Sequence, residues 1–314
     1  MIRAIRDTLD RREDGRSWAV FRVGLALVAL LDVAWVAFVP ERWPLWLDRA
    51  GGGWLATAGS PLFRWVGASV ESVGAVSIVT MSLLVAVAVG RGGRVVALAA
   101  LLGFVSLIDI HPAAGGGYDE LLSNGLFLIF AGGTGAYSLD HVRRTGTWSG
   151  DVPMWPRILV AYQICLVYAT TGWQKISLHW VPWGDRTAIA DILMTPSYSR
   201  VDPLWVAYLA PLWGVLTAVV WIWEWLAPLW FLAWFRSLQA PTLWWTKVRH
   251  AMWAFGVGFH LASGALLELG AFAPASLVFL FAMMHPRAWG AGRQLNSAQP
   301  AMAVTTNPMA AGTP

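Results

Sequence analysis

The sequence predicts an all-α, polytopic integral membrane helix bundle of about eight transmembrane helices, with both termini cytoplasmic. Three observations predict it. The 314 residues are 57% hydrophobic and 13% charged, whereas a soluble domain carries roughly a quarter charged residues. Apolar runs long enough to cross a bilayer recur along the chain. Lysine and arginine cluster in alternate connecting segments, as the positive-inside rule expects. Twenty-two tryptophans against six tyrosines add to the signature, because an indole ring can be buried at the membrane interface while its N–H stays wet.

In chain order, residues 1–16, "MIRAIRDTLDRREDGR", set Ile2, Ile5 and Leu9 at helical spacing among arginines. This predicts a short basic interfacial helix on the inner membrane surface. It is not expected to be a cleavable signal, because the apolar run behind it is too long and no small-residue cleavage site follows. A transmembrane domain over 17–290 comes next, with candidate spans at about 17–39, 72–90, 93–110, 119–136, 157–174, 205–235, 250–270 and 272–286. The sixth is overlong and contains Pro211 and Pro228, so it is expected to be tilted, broken or partly interfacial. Residues 43–70 read as an external loop with a half-inserted aromatic piece.

The expected inner segments carry the N-terminal arginines, then Arg91 and Arg94, then Arg143, Arg144 and Arg157, then Arg236, Lys247 and Arg249, then Arg287. The expected outer segments are mixed or acidic: Glu41 and Asp48, Asp109 to Glu120, and Lys175 to Asp202. Residues 291–314, rich in Ala, Pro, Gln and Thr, predict a disordered tail. No internal repeat is visible, so an inverted-repeat transporter gains no support.

Several functions are excluded. The net charge is +4, but the arginines flank apolar segments, which is topology charge and not a nucleic-acid face. Cys165 is the only cysteine, so an intrachain disulfide and a cysteine-based metal site are both ruled out. It lies in an apolar run and reads as a small core residue. The stretch "AGGTGAY" at 131–137 lacks the lysine and the strand–helix context of a phosphate loop, so it reads as a helix end.

Ionisable residues inside spans point to function by default. Arg22 lies near the inner end of its span and is expected to snorkel. Asp32 is deeper and is expected to pair within the bundle. Glu224 sits in "WIWEWLAPLW" between Trp223 and Trp225; it reads either as a hydrogen-bonded carboxyl clamping two helices or as a catalytic acid. His260 lies in "WAFGVGFHLASGALLELGAF", with Gly256 and Gly264 four residues to either side and Ser263 close by. Small residues there let a helix or a flat ligand approach.

Lys175 lies in "TTGWQKISLHWVPWGD", 170–185. If the fifth helix continues, Tyr168, Thr171, Lys175 and His179 share one face at spacings of three and four. Such a polar stripe is expected to face a cavity. A poorly hydrated lysine can serve as a base. Snorkelling with cation–π contact to Trp173 or Trp180 is equally open on spacing alone.

Five blocks, in order, resemble a known family: "SWAVFRVGLALVALLDV", "SLIDIHPAAGGGYDELLSNGLFLIFAGGTGAYSLD", "ICLVYATTGWQKISLHWVPWGDRTAI", "WEWLAPLWF" and "GVGFHLASGALLELGAFA". They resemble the HTTM family, bacterial membrane proteins related to the transmembrane part of the vitamin K-dependent gamma-carboxylase. The resemblance runs over about residues 15–285. It implies a multi-pass protein of the bacterial inner membrane with an outward-facing site. It also implies that Lys175 is the base that deprotonates a reduced vitamin K-like quinone, which oxygen converts to an epoxide, and that His260 is a second catalytic residue. Tyr168, Thr171, Trp173, His179, Trp180 and Glu224 are then candidates for binding the quinone.

The family enzyme has a second lysine just before its base, where this sequence has Gln174. "YDELLSNG" offers no match to another histidine of the carboxylase. No segment here resembles the large lumenal domain that binds propeptides, so propeptide-directed glutamate carboxylation is not expected. A different class of function stays open: a non-enzymatic membrane factor for maturation or export of a secreted peptide, as in a sporulation-delaying maturation protein with a related domain. The expected partners are the lipid bilayer, a quinone and a secreted peptide, with no nucleic acid.

Overall fold

Long apolar runs can become helices of any length, so the breaks are set by glycine, proline and capping side chains. The computed structural model describes residues 7, 9–39, 60–110, 116–239 and 242–289. Their regular secondary structure is helical apart from one small antiparallel pairing and an isolated bridge. Residues 1–6 and 8 of the expected basic N-terminal helix, most of the 43–70 loop and the 291–314 tail lie outside the described residues. Of the first, Arg12–Asp14 forms strand β1, not helix.

Helix α1 is Arg16–Ala37, followed by a short α2, Pro61–Val66. Helix α3, Val70–Val89, opens with a capping box, in which the Ser69 hydroxyl accepts from the Ser72 N–H and Ser72 returns the contact. It stops at Gly90, which is left-handed at φ 70°. Then come α4, Gly93–Ile108, and α5, Gly117–Gly132. Helix α6, Leu139–Thr145, is capped by Ser138, and strand β2, Asp151–Pro153, pairs with β1. Helix α7 is Trp155–Gln174. Two short helices, α8 (Ala188–Leu193) and α9 (Pro203–Tyr208), lie in the segment after it.

Helices α10, Ala210–Trp225, and α11, Ala227–Gln239, meet at a 54° bend. Pro228 explains the bend. It has no N–H to continue the ladder, and its ring conflicts with the carbonyl four residues back, that of Glu224. The expected broken sixth span is therefore a proline-bent pair with Glu224 at the corner. Helices α12, Leu243–Leu266, and α13, Phe272–Ala282, complete the bundle.

Among the described residues, α1 and α3 are long and apolar enough to cross a membrane, and the bent α10–α11 pair adds a third if it acts as one span. Helices α4 and α13 are apolar but shorter. Helices α1, α3, α4 and α5 pack consecutively, α7 lies against α5, α10 and α11, and α12–α13 return the chain to α1. Helix α13 is central, touching α1, α5, α7 and α12 through small buried residues such as Ala273, Ala275 and Ser276. Large apolar side chains point outward along α1, α3 and α4, among them Leu31, Ile78 and Val95. A lipid environment makes such a surface favourable.

Two arginines are buried at one end of the bundle. Arg22 is fully buried and does not snorkel. It donates to the carbonyls of Val87, Ala88 and Tyr137. The last carbonyls of a helix have no partner within it, so Arg22 caps α3 from the side and ties it to the segment before α6. Arg157 is likewise buried, forks onto both Glu13 oxygens and lies over the Trp234 ring at 5.1 Å. Removing one partner of such a pair leaves an uncompensated buried charge. Glu13→Ala is therefore expected to lower the stability of the detergent-solubilised protein by about 3–5 kcal/mol, read from its denaturant midpoint. Asp7→Ala, at an exposed site, should change it by less than about 0.5 kcal/mol.

Candidate functional site

The site begins where α7 and α10 nearly touch. Gly172 has no side chain, and a Cβ there would lie 2.7 Å from Glu224 Cβ and 3.1 Å from the Glu224 carbonyl carbon. The absence of a side chain allows this approach. It sets the end of α7 directly against the corner residue of the bent pair. Lys175 follows Gln174 as the cap of α7, with φ −83° and ψ 63°, outside helical geometry. Its N–H bonds the Gly172 carbonyl, and its carbonyl accepts from Trp221 Nε1 at 2.7 Å.

The Lys175 side chain turns back into the bundle. Nζ donates to both Glu224 oxygens, at 2.6 and 2.8 Å, and lies 4.5 Å from the Trp180 ring centre. Glu224 is 4% exposed and Lys175 24%. So the carboxylate is held in the protein while the amine reaches the edge of a cavity. The cation–π contact expected of a snorkelling lysine is present, but it accompanies a buried ion pair.

The cavity has a volume of about 560 Å³, within the usual range for small-molecule sites, roughly 300–1,000 Å³. Its polar corner is Lys175, Glu224, Thr171 and Tyr168. The remaining wall is largely apolar, with Trp213 from α10, Phe255 and Phe259 from α12, Phe272 from α13, and Ile189 with Leu193 from α8; Ser263 and Ser276 interrupt it. The segment between α7 and α10 roofs it. Leu193, Val206 and Trp213 form a small core of their own, packed on Leu266 and Leu267. Backbone bonds from Arg200 to Leu266 and from Glu268 to Tyr198 hold that roof to the end of α12.

Behind the polar corner, Tyr168 Oη lies 2.6 Å from His260 Nε2. His260 is fully buried, and its Nδ1 has no hydrogen-bond partner among the described residues. An orphaned buried N–H is rarer than an acceptor left unfilled. We therefore assign the proton to Nε2, which donates to the Tyr168 oxygen and leaves Nδ1 as the bare acceptor. The Tyr168 hydroxyl proton is then not used on His260 and remains available to another acceptor.

The sequence-based candidates divide as follows. Lys175, Glu224, Tyr168, Thr171 and Trp180 meet at one cavity corner. His260 does not line the cavity; it lies behind it, bonded to Tyr168. Trp173 is half-exposed and packs edge-on against Trp225, away from the cavity. His179 was expected on a continued α7, but the helix ends at Gln174 because Lys175 is drawn onto Glu224 and Trp221. His179 instead bonds Thr187 at 2.7 Å near Asp191, exposed on the roof. The aromatic wall on α12 was not anticipated. Its spacing, Phe255, Phe259, Ala262 and Leu266, is a helical stripe visible in the sequence. No local pattern marks Ile189 or Leu193.

If the contact at Gly172 sets the corner, enlarging it should spread α7 from α10. Gly172→Ala is expected to cost about 1–3 kcal/mol by overpacking, read as a lowered unfolding midpoint. Gly258→Ala, where a Cβ meets nothing within 4 Å, should be near neutral.

No curated protein and no solved structure matches the chain significantly. The model of the HTTM domain matches residues 10–289, from the turn before β1 to the last described residue, and so takes in every helix of the bundle and both sides of the cavity. That coverage, together with apolar helices turned outward to lipid, makes this a membrane protein that belongs to the HTTM domain family.

Proposed function

We propose that the cavity binds a flat, apolar, hydroxyl-bearing ligand of the reduced-naphthoquinone kind, in a protein akin to the vitamin K-dependent gamma-carboxylase, and that Lys175 removes the hydroxyl proton. The observation that carries this reading is the Lys175 amine, held on a buried carboxylate at a polar corner of a largely apolar cavity. The aromatic wall suits a ring system, and the polar corner suits one ring oxygen.

A close ion pair away from water can pass a proton from Nζ to Glu224, giving neutral amine and neutral acid. The amine lone pair then accepts the proton of the ligand hydroxyl, and the resulting ammonium is stabilised by the face of Trp180. Tyr168, oriented by His260, donates to the ligand oxygen as negative charge grows on it. Trp213, Phe259 and Phe272 exclude water from the corner. A bound quinol would supply the electrons for reducing oxygen there, leaving as its epoxide with one molecule of water formed.

The same proposal gives the topology. Eight membrane-crossing units correspond to α1, α3, α4, α5, α7, the bent α10–α11 pair, α12 and α13. Arg91, Arg94, Arg143 and Arg144 mark the cytoplasmic end, with both termini on that side. Lys175 faces outward, as expected for a multi-pass protein of a bacterial inner membrane.

The test uses purified wild type and Lys175→Ala, each supplied with a reduced naphthoquinone in aerated buffer. Oxygen uptake by the wild type should exceed that of the variant by at least about 100-fold, the usual worth of a positioned base. Equal rates would remove Lys175 from the mechanism. Quenching of tryptophan fluorescence by the same quinone reports occupancy separately. Occupancy with no oxygen uptake in either protein would reject oxidation and favour a binding role, such as maturation of a secreted peptide.

A further inference from the structure

At the opposite end of α5 from the cavity lies a second, polar pocket of about 520 Å³. It is lined by Arg94 on α4, Arg143 and Arg144 on α6, Asp140, and the backbone of Gly132 to Gly135. This is the "AGGTGAY" stretch, which has no lysine of its own. The fold brings three arginines to it instead, against one carboxylate.

The loop is pinned from behind. The Gly133 carbonyl accepts from Trp18 Nε1, the Gly135 carbonyl from the Ser138 hydroxyl, and the Tyr137 carbonyl from Arg22. Gly133 and Gly135 are left-handed, at φ 79° and 67°, a conformation glycine adopts without strain. With these carbonyls engaged, the N–H groups of Thr134 and Gly135 make no hydrogen bond among the described residues. The Thr134 side chain, 6% exposed, lines the pocket and likewise has no partner among them. The guanidinium groups of Arg94 and Arg143 are similarly uncommitted, whereas Arg144 uses Nε on the Asp140 carbonyl and keeps its two terminal nitrogens. The first turn of α4, with its outward N–H groups, begins at Gly93 on the pocket wall.

We propose that this pocket binds a phosphate group, held by Arg94, Arg143 and Arg144 with the Thr134 hydroxyl and the 134–135 amides. Forked guanidinium donors and a buried hydroxyl beside free amides suit the tetrahedral oxygens of a phosphate mono- or diester. At the end of a membrane bundle that group can belong to an anionic lipid headgroup or to free phosphate. The proposal is independent of the quinol reading.

The test follows the thermal midpoint of the full-length protein in neutral detergent at constant ionic strength, against inorganic phosphate, short-chain phosphatidylglycerol and short-chain phosphatidylcholine. A saturable rise is expected with an anionic probe. A response to inorganic phosphate identifies the free ion, and a response to phosphatidylglycerol alone identifies a lipid headgroup. The Arg94→Gln/Arg143→Gln variant should need about tenfold more probe for half-saturation. The charge-matched control, Arg236→Gln/Lys247→Gln, should behave as wild type. Thr134→Val keeps every charge and should weaken binding about threefold, which guards against misfolding of the double variant. No saturable rise with either anionic probe would overturn the proposal, as would equal shifts in the arginine variant and its control.

Discussion

The close approach of α7 to α10 at Gly172 is the constraint on which the candidate site depends. Two helices normally stand roughly 8–10 Å apart, and only a residue without a side chain lets one backbone rest on another. Because α10 bends at Pro228, the residue it offers to Gly172 is Glu224. Because α7 ends two residues beyond Gly172, the next side chain able to turn back is Lys175. The ion pair is thus the product of a glycine, a proline and a helix end. None of the three is charged, and each must stay in register with the others.

A similar economy governs the rest of the bundle. In lipid, a buried charge or a bare carbonyl has no water to fall back on. The structure answers by spending its buried cations on specific acceptors. Arg22 closes the end of α3 and Arg157 closes the pair with Glu13. The Arg22 contact also holds the Tyr137 carbonyl, and thereby helps fix the glycine loop beside the arginine pocket. The two ends of the molecule therefore differ in kind. One end has a cation tightly committed to a buried anion beside a largely apolar cavity. The other has several cations on a polar pocket with few commitments.

Much of the helical layout was legible because apolar length is a local property. The segments expected at 17–39, 72–90 and 157–174 correspond closely to Arg16–Ala37, Val70–Val89 and Trp155–Gln174. Prolines at 211 and 228 foretold a broken sixth segment. The site was legible in part, since Tyr168, Thr171 and Lys175 do share a wall. His179 failed because the helix end is decided by contacts with Glu224 and Trp221, some 46 to 49 residues away in sequence. Arg22 failed for a related reason. Snorkelling is the outcome for an arginine with no partner in the bundle, and its partners are carbonyls of α3 and of the loop before α6, which no pattern around residue 22 announces.

His260 shows what helical spacing can and cannot assign. The glycines at 256 and 264 do clear a face, but that face receives protein. Gly256 admits Trp223 and Leu280, and Gly264 approaches Ala273. Among the described residues the imidazole has one hydrogen-bond partner, Tyr168, whose ring packs against Trp223 and Trp230. A histidine so enclosed cannot meet a ligand directly. It can fix the direction of one hydroxyl, that of Tyr168, a residue that lines the cavity one helical turn before Thr171. Of the two residues expected to be catalytic, the structure thus puts Lys175 on the cavity wall and His260 behind it, in contact with Tyr168.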